Sequence, residues 1–225
     1  MRVEFDNPIK LEFHGATVTS DEGLVAYREH DEALRPTAMA DDMSRDLRRG
    51  KYTQHDLAVL LRQSVCSPLP GHEDANAAER LAVDPAMRQV VGDRAKDRQA
   101  ASTSRMGRFE TVILTPKRNL KALMDLPDTW VDRVRKRRVL GKLILEMDGS
   151  VRETCGQQEG SAYKGDIGCA CSHPLFIFNQ DGDLARAVLR HGNVHSADDW
   201  RSMLESVVKR YSSDDVPKFL TADAA

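Results

Sequence analysis

Asp148 and Asp223 each close an apolar, strand-like run: VLGKLILEMD at 139–148 and KFLTAD at 218–223. Carboxylates are hard oxygen ligands, and Mg²⁺ is commonly held by one or two of them together with substrate phosphate oxygens. A pair of such ions activates water and stabilises the leaving oxygen in phosphodiester cleavage. Adjacent strands ending in Asp would deliver both carboxylates to one spot. A plainer explanation stays open on pattern alone, since strands often end at a polar residue. Only Ala224 and Ala225 follow Asp223. The chain is therefore expected to carry two acids of a metal site and no third.

A second chemical feature is local charge. The segment 117–142 carries Lys117, Arg118, Lys121, Arg133, Arg135, Lys136, Arg137, Arg138 and Lys142, against Asp125, Asp128 and Asp132. Such an excess suits a phosphate backbone, where each neutralised phosphate releases counterions. A solvated helix face would look the same. Arg108, beside Phe109, is ambiguous in the same way. Cys155, Cys169, Cys171 and His173 invite a zinc reading, but Cys-x-Cys is not the usual Cys-x₂-Cys spacing, and free thiols fit better. His173, His191 and His195 flank a hairpin signal and suit hydrogen-bonded structural roles at least as well as general-base ones.

These residues need elements to position them. With 225 residues, the chain is long enough for one large domain or two small ones. Hydrophobic residues make up 40% and the net charge is −2, so a core is available and any nucleic-acid surface is local. No run reaches the ~18 apolar residues of a membrane span. The N-terminus MRVEFDNPIK lacks an apolar signal-peptide core, so a cytoplasmic location is expected.

Helical patterns dominate up to Arg138. Ser20 with Asp21 and Glu22 predicts a helix start, followed by helices over 39–47, from a Thr53 cap, over 72–83, and from an Asp84-Pro85 start. Residues 92–104 predict a loop. Further helices are expected over 105–114, 116–126 and 128–138. Beyond that point the texture changes. Strands are expected over 139–148, 174–178, 184–189 and 216–222, with Asp181-Gly182 as a hairpin turn and a Ser196-capped helix over 197–211 before the last strand. The fold class is α+β: a helical region, 1–138, then a β-β-β-α-β region, 139–225.

Several stretches in order resemble a known family. They include DEGLVAYRE at 21–29, HDLAVLLRQSV at 55–65, GHEDANAAERLAVDPAMRQVVG at 71–92 and AASTSRMGRFE at 100–110. They continue with LILEMDGSV at 143–151, CGQQEGSAY at 155–163, HPLFIFNQDGDLARAVLRHGNVHSADD at 173–199 and FLTADAA at 219–225. The chain resembles the N-terminal portion of bacterial insertion-sequence DDE transposases of group 1. That resemblance implies a ribonuclease-H-like catalytic domain, here incomplete. It implies Mg²⁺ or Mn²⁺ held by Asp, Asp and Glu, and cutting and joining of DNA at element ends. Asp148 and Asp223 match the first and second catalytic acids. The catalytic Glu has no counterpart, since no Glu follows Glu205. Gly149 stands where the family often has Ser or Ala. The helical half matches the DNA-binding and dimerising region.

The expectation is a DDE transposase, truncated and inactive in strand cleavage on its own. Its partners would be element-end DNA and a second copy or full-length transposase, without a membrane. A non-catalytic DNA-binding or dimerising fragment that interferes with the full-length enzyme is the alternative.

Overall fold

The computed structural model describes residue 19 and residues 23–48, 53–71, 75–92, 97–135, 141–155, 158–212 and 215–222. They form two compact units, one within 1–41 and 46–114 and the other within 42–45 and 115–225. The texture change at Arg138 therefore falls inside the second unit.

The first unit is helical. Its elements are α1 (Leu24–Leu34), α2 (Pro36–Met43, whose end enters the second unit), α3 (Leu57–Cys66), α4 (Ala78–Leu81), α5 (Pro85–Val91) and α6 (Thr103–Arg108). A wide π-helical segment, Phe109–Leu114, continues α6. Leu24, Val59, Cys66, Leu81, Met87, Val90 and Val91 form its core. Polar side chains tie the helices through backbone groups. Gln63, fully buried, donates to the Ala101 carbonyl (2.7 Å) and accepts from the Ala101 N–H (2.8 Å), as a strand neighbour would. Arg62 bonds Asp31 (2.7 Å) and the Val91 carbonyl (2.8 Å). Burial alone would raise the Asp31 pKa, but hydrogen bonds from Thr37 and Arg62 bring it below the usual value.

Asp84 caps α5 as its sequence predicts, accepting from the Met87 N–H at 2.9 Å, with Pro85 in the first turn. Other starts differ. The third helix follows Asp56 rather than Thr53. The helix expected over 72–83 is a 3₁₀ turn at Ala75–Ala77 plus the single turn α4, because the chain turns at once into α5. Ser20, Asp21 and Glu22 lie outside the described residues.

In the second unit α7 runs unbroken over Lys117–Arg135, with Pro127 inside it. Sequence logic splits this stretch in two, since an internal Pro removes a hydrogen bond and costs roughly 3 kcal/mol. Anchors on both sides of Pro127 override that. Asn119 exchanges hydrogen bonds with the Arg45 backbone (2.8 and 3.0 Å). Asp125 binds Arg186 (2.5 Å) and Asp132 binds Arg210 (2.6 Å).

Among the described residues seven strands follow: β1 (Leu143–Gly149), β2 (Arg152–Glu153), β3 (Ala162–Lys164), β4 (Cys169–Ser172), β5 (Leu175–Asn179), β6 (Leu184–Val188) and β7 (Lys218–Ala222). The helix α8 (Trp200–Arg210) lies between β6 and β7. The main sheet has the order β6-β5-β1-β7, and a small sheet has the order β2-β4-β3. β1 is antiparallel to β5 and parallel to β7. Leu143, Leu145, Met147, Leu175 and Ile177 from the main sheet pack with Met203, Val207 and Tyr211. The expected hairpin is present. Asn179 Oδ1 accepts the N–H groups of Asp181 and Asp183, both at 2.9 Å, and Gly182 takes φ +79°. β7 is the sheet edge among the described residues, and all its residues are exposed.

Asp128 is 1% exposed, and neither carboxyl oxygen has a hydrogen-bond partner among the described residues. Burial pushes its pKa up to about 6, with Arg210 and Arg186 pulling only partly against it. A folded pKa above the unfolded one gives stability that is complete below the unfolded value, near 4, and is lost as pH rises to about 6. The loss is on the order of 3 kcal/mol. Asp128→Asn is therefore expected to raise the melting temperature at pH 8, with the gain vanishing near pH 4. Thermal denaturation at both pH values checks this. A variant equally destabilised at both would show that the charge of Asp128 is not what sets its cost, against the raised pKa.

Candidate active site

Alternation along β1 places Leu143, Leu145 and Met147 in the core and leaves Ile144, Glu146 and Asp148 on the other face. Asp148 is partly exposed and sits across from Phe176, and its side chain has no hydrogen bond or ion pair among the described residues. Phe176 and Phe178 line the neighbouring strand with ring centroids 6.0 Å apart. On the other side of β1 the parallel register with β7 runs from Leu143↔Lys218 to Met147↔Ala222. Asp148 and Asp223 are the residues that follow Met147 and Ala222 in sequence. Asp223 itself lies outside the described residues.

Behind Asp148 the chain builds a polar support that sequence reasoning missed. Arg190 is 5% exposed. Its Nε donates to the His173 carbonyl (3.0 Å), and its Nη1 donates to the carbonyls of Ser196 (3.0 Å) and Asp198 (2.6 Å). Its Nη2 is buried with no partner among the described residues. Both Nη2 and His173 Nε2 lie 3.5 Å from where a Cβ on Gly149 would stand. His173 Nδ1 is 3.3 Å from the Val194 carbonyl and 3.2 Å from Lys164 Nζ. Burial, then the Lys164 charge, lowers the His173 pKa and favours the neutral imidazole. The only sequence hint of Arg190 is a basic residue closing an apolar strand. His173 was noticed as one of a trio, without its partners.

The same guanidinium explains a boundary. Ser196 does not cap α8. Its carbonyl and that of Asp198 are drawn onto Arg190, and the helix starts at Trp200 after Asp199 in a left-handed conformation (φ 60°).

The chemistry of Asp148 fits a divalent cation ligand: a hard oxygen donor, reachable from solvent and not neutralised by an internal cation. Among the described residues no three His, Cys, Asp or Glu side chains gather to hold a metal. All four cysteines are free thiols.

Of the basic residues, Lys117, Arg118, Lys121 and Arg133 are exposed on α7, and Arg108 is exposed in the first unit. None of the five has an ion pair among the described residues. Arg135 is engaged inside its unit, its guanidinium 4.4 Å above the centre of the Tyr211 ring. Lys136, Arg137 and Arg138 lie outside the described residues. Among the described residues no helix is long and apolar enough to cross a membrane.

The sequence model for transposase DDE domain group 1 matches residues 1–225. The chain belongs to that family. No curated protein and no solved structure matches it. Membership supports a role connected with transposition, and the mixed α+β architecture of this transposase-family chain is consistent with a DDE domain.

The unpartnered Arg190 Nη2 gives a direct check on this support. In Gly149→Ser the hydroxyl can accept a hydrogen bond from Nη2, since a Cβ there meets nothing closer than 3.5 Å. A hydrogen bond to a charged group contributes about 1.5–3 kcal/mol. Chemical denaturation is expected to show Gly149→Ser more stable than the parent, and more stable than Gly149→Ala. A serine variant no better than alanine would place Nη2 elsewhere.

Proposed function

We propose that the second unit is the catalytic part of a DDE transposase with a ribonuclease-H-like sheet, acting in metal-dependent DNA strand cleavage and transfer. The observation that supports this most is the parallel pairing of β1 with β7, whose last described pair, Met147↔Ala222, comes one residue before each aspartate. In a parallel pair, side chains at matched positions share a face. Asp148 and Asp223 would then hold Mg²⁺ or Mn²⁺ together. The bound ions supply polarisation of the phosphate and a more acidic water. Asp148 contributes a carboxylate fixed by a strand bonded on both sides, and Arg190 and His173 lie beside the neighbouring Gly149.

DNA at element ends is the proposed substrate, and a second copy or full-length transposase the proposed partner. Exposed Lys117, Arg118 and Lys121, with Arg133 and Arg108, are the proposed phosphate contacts. Their charges have no carboxylate partner among the described residues, whereas Asp125 and Asp132 are occupied by arginines.

Mn²⁺ titration followed by electron paramagnetic resonance tests the site. The parent is expected to bind Mn²⁺, and Asp148→Asn and Asp223→Asn to weaken binding about tenfold or more, about 1.4 kcal/mol, with unchanged circular dichroism. Full Mn²⁺ affinity in Asp148→Asn would sink the metal assignment. A chain that binds element-end DNA but no Mn²⁺ would instead be a DNA-binding or dimerising module. For the DNA surface, replacing Lys117, Arg118 and Lys121 by Gln is expected to reduce the salt-dependence slope of duplex binding by up to about 2.7. An unchanged slope would remove these residues from the interface.

A further inference from the structure

The small sheet β2-β4-β3 is inserted between β1 and β5, and a cleft of about 410 Å³ lies beside it. Its walls are Tyr163 to Asp166 at the end of β3 and Asn193 to Ser196 in the loop before α8. That volume is within the roughly 300–1,000 Å³ of small-molecule sites. Tyr163 is 67% exposed, an unusual position for a large ring. Next to it, Lys164 Nζ rests 3.2 Å from His173 Nδ1 and has no carboxylate partner among the described residues. The other ring nitrogen of His173 faces Gly149, the residue after Asp148. One imidazole therefore separates the lysine from the strand end that bears Asp148.

An exposed aromatic ring with an adjacent uncompensated cation is what single-stranded nucleic acid uses: the base stacks and the phosphate pairs. Asp166 also lines the cleft, so stacking is the main attraction. A base kept in duplex has both faces covered and cannot stack on Tyr163. We propose that this cleft receives one nucleotide splayed from the DNA strand that reaches Asp148, with its base on Tyr163 and its phosphate at Lys164. The placement rests on Asp148 being the metal-bearing end of a DNA-cleaving site; the stacking does not require bound metal.

The test is fluorescence anisotropy of the full chain with a short labelled single strand and with the duplex of the same sequence, in EDTA. Working without metal separates this outcome from that of the Mn²⁺ titration. The parent is expected to bind the single strand. Tyr163→Ala should weaken that binding about tenfold, as loss of one stacked base does, and leave duplex binding within about twofold. Tyr163→Trp should restore binding, with its indole fluorescence quenched by the single strand. Because Tyr163 is mostly exposed, these changes leave the fold intact, which circular dichroism verifies. Lys164→Gln should weaken binding and flatten its salt dependence. Failure of the parent to bind the single strand overturns the proposal. So does a Tyr163→Ala variant with undiminished affinity, or one that loses duplex and single strand equally.

Discussion

Strand β1 is hydrogen-bonded on both sides, antiparallel to β5 and parallel to β7, and the rest of the second unit follows from that constraint. A parallel neighbour needs a crossover connection, and α8 supplies it. The crossover packs Met203 and Val207 against Leu143, Leu145 and Met147, which fixes the face of β1. A slip of one residue would put Asp148 into that core and Met147 into water. The cost of burying a lone carboxylate forbids it. The position of the aspartate is thus a by-product of hydrophobic register, and the site inherits the rigidity of the core.

Charge on α7 is sorted by the same sheet. Asp125 and Asp132 reach Arg186 on β6 and Arg210 on α8, and Arg135 lies over Tyr211. Ion pairs of this kind specify how a helix docks more than they stabilise the docking. Asp128 shows the limit, since it is buried between the two pairs and has no hydrogen bond of its own. Sorting has a consequence for function. In the sequence the segment's basic excess is counted against Asp125, Asp128 and Asp132. With two acids engaged inside the unit, Lys117, Arg118 and Lys121 present a stronger positive field than the raw count implies.

The β-β-β-α-β order was legible because four of its strands carry apolar runs and its hairpin has an Asp-Gly turn. The small sheet was not. Its strands are two to four residues long, KGDIGCACS has no period, and Gly, Cys and Ala carry little strand signal. Helix α7 was split in sequence because the local cost of Pro127 is visible there and its tertiary anchors are not. Asp148 was legible as the end of a run. Arg190 was not, since its partners are backbone carbonyls, and a carbonyl has no letter.

Those carbonyls tie the entry to β5 to the loop before α8. Through Arg190, the His173 carbonyl at the entry to β5 and the 196–198 carbonyls before α8 share one guanidinium. Gly192 closes the arrangement from the other side: a Cβ there would overlap the Cys171 and Ala162 carbonyl oxygens, so only glycine lets the loop lie on the small sheet. The Ser172↔His191 bridge continues that contact. Ser196, in the wall of the Tyr163 cleft, is therefore held by the same guanidinium that lies beside Gly149.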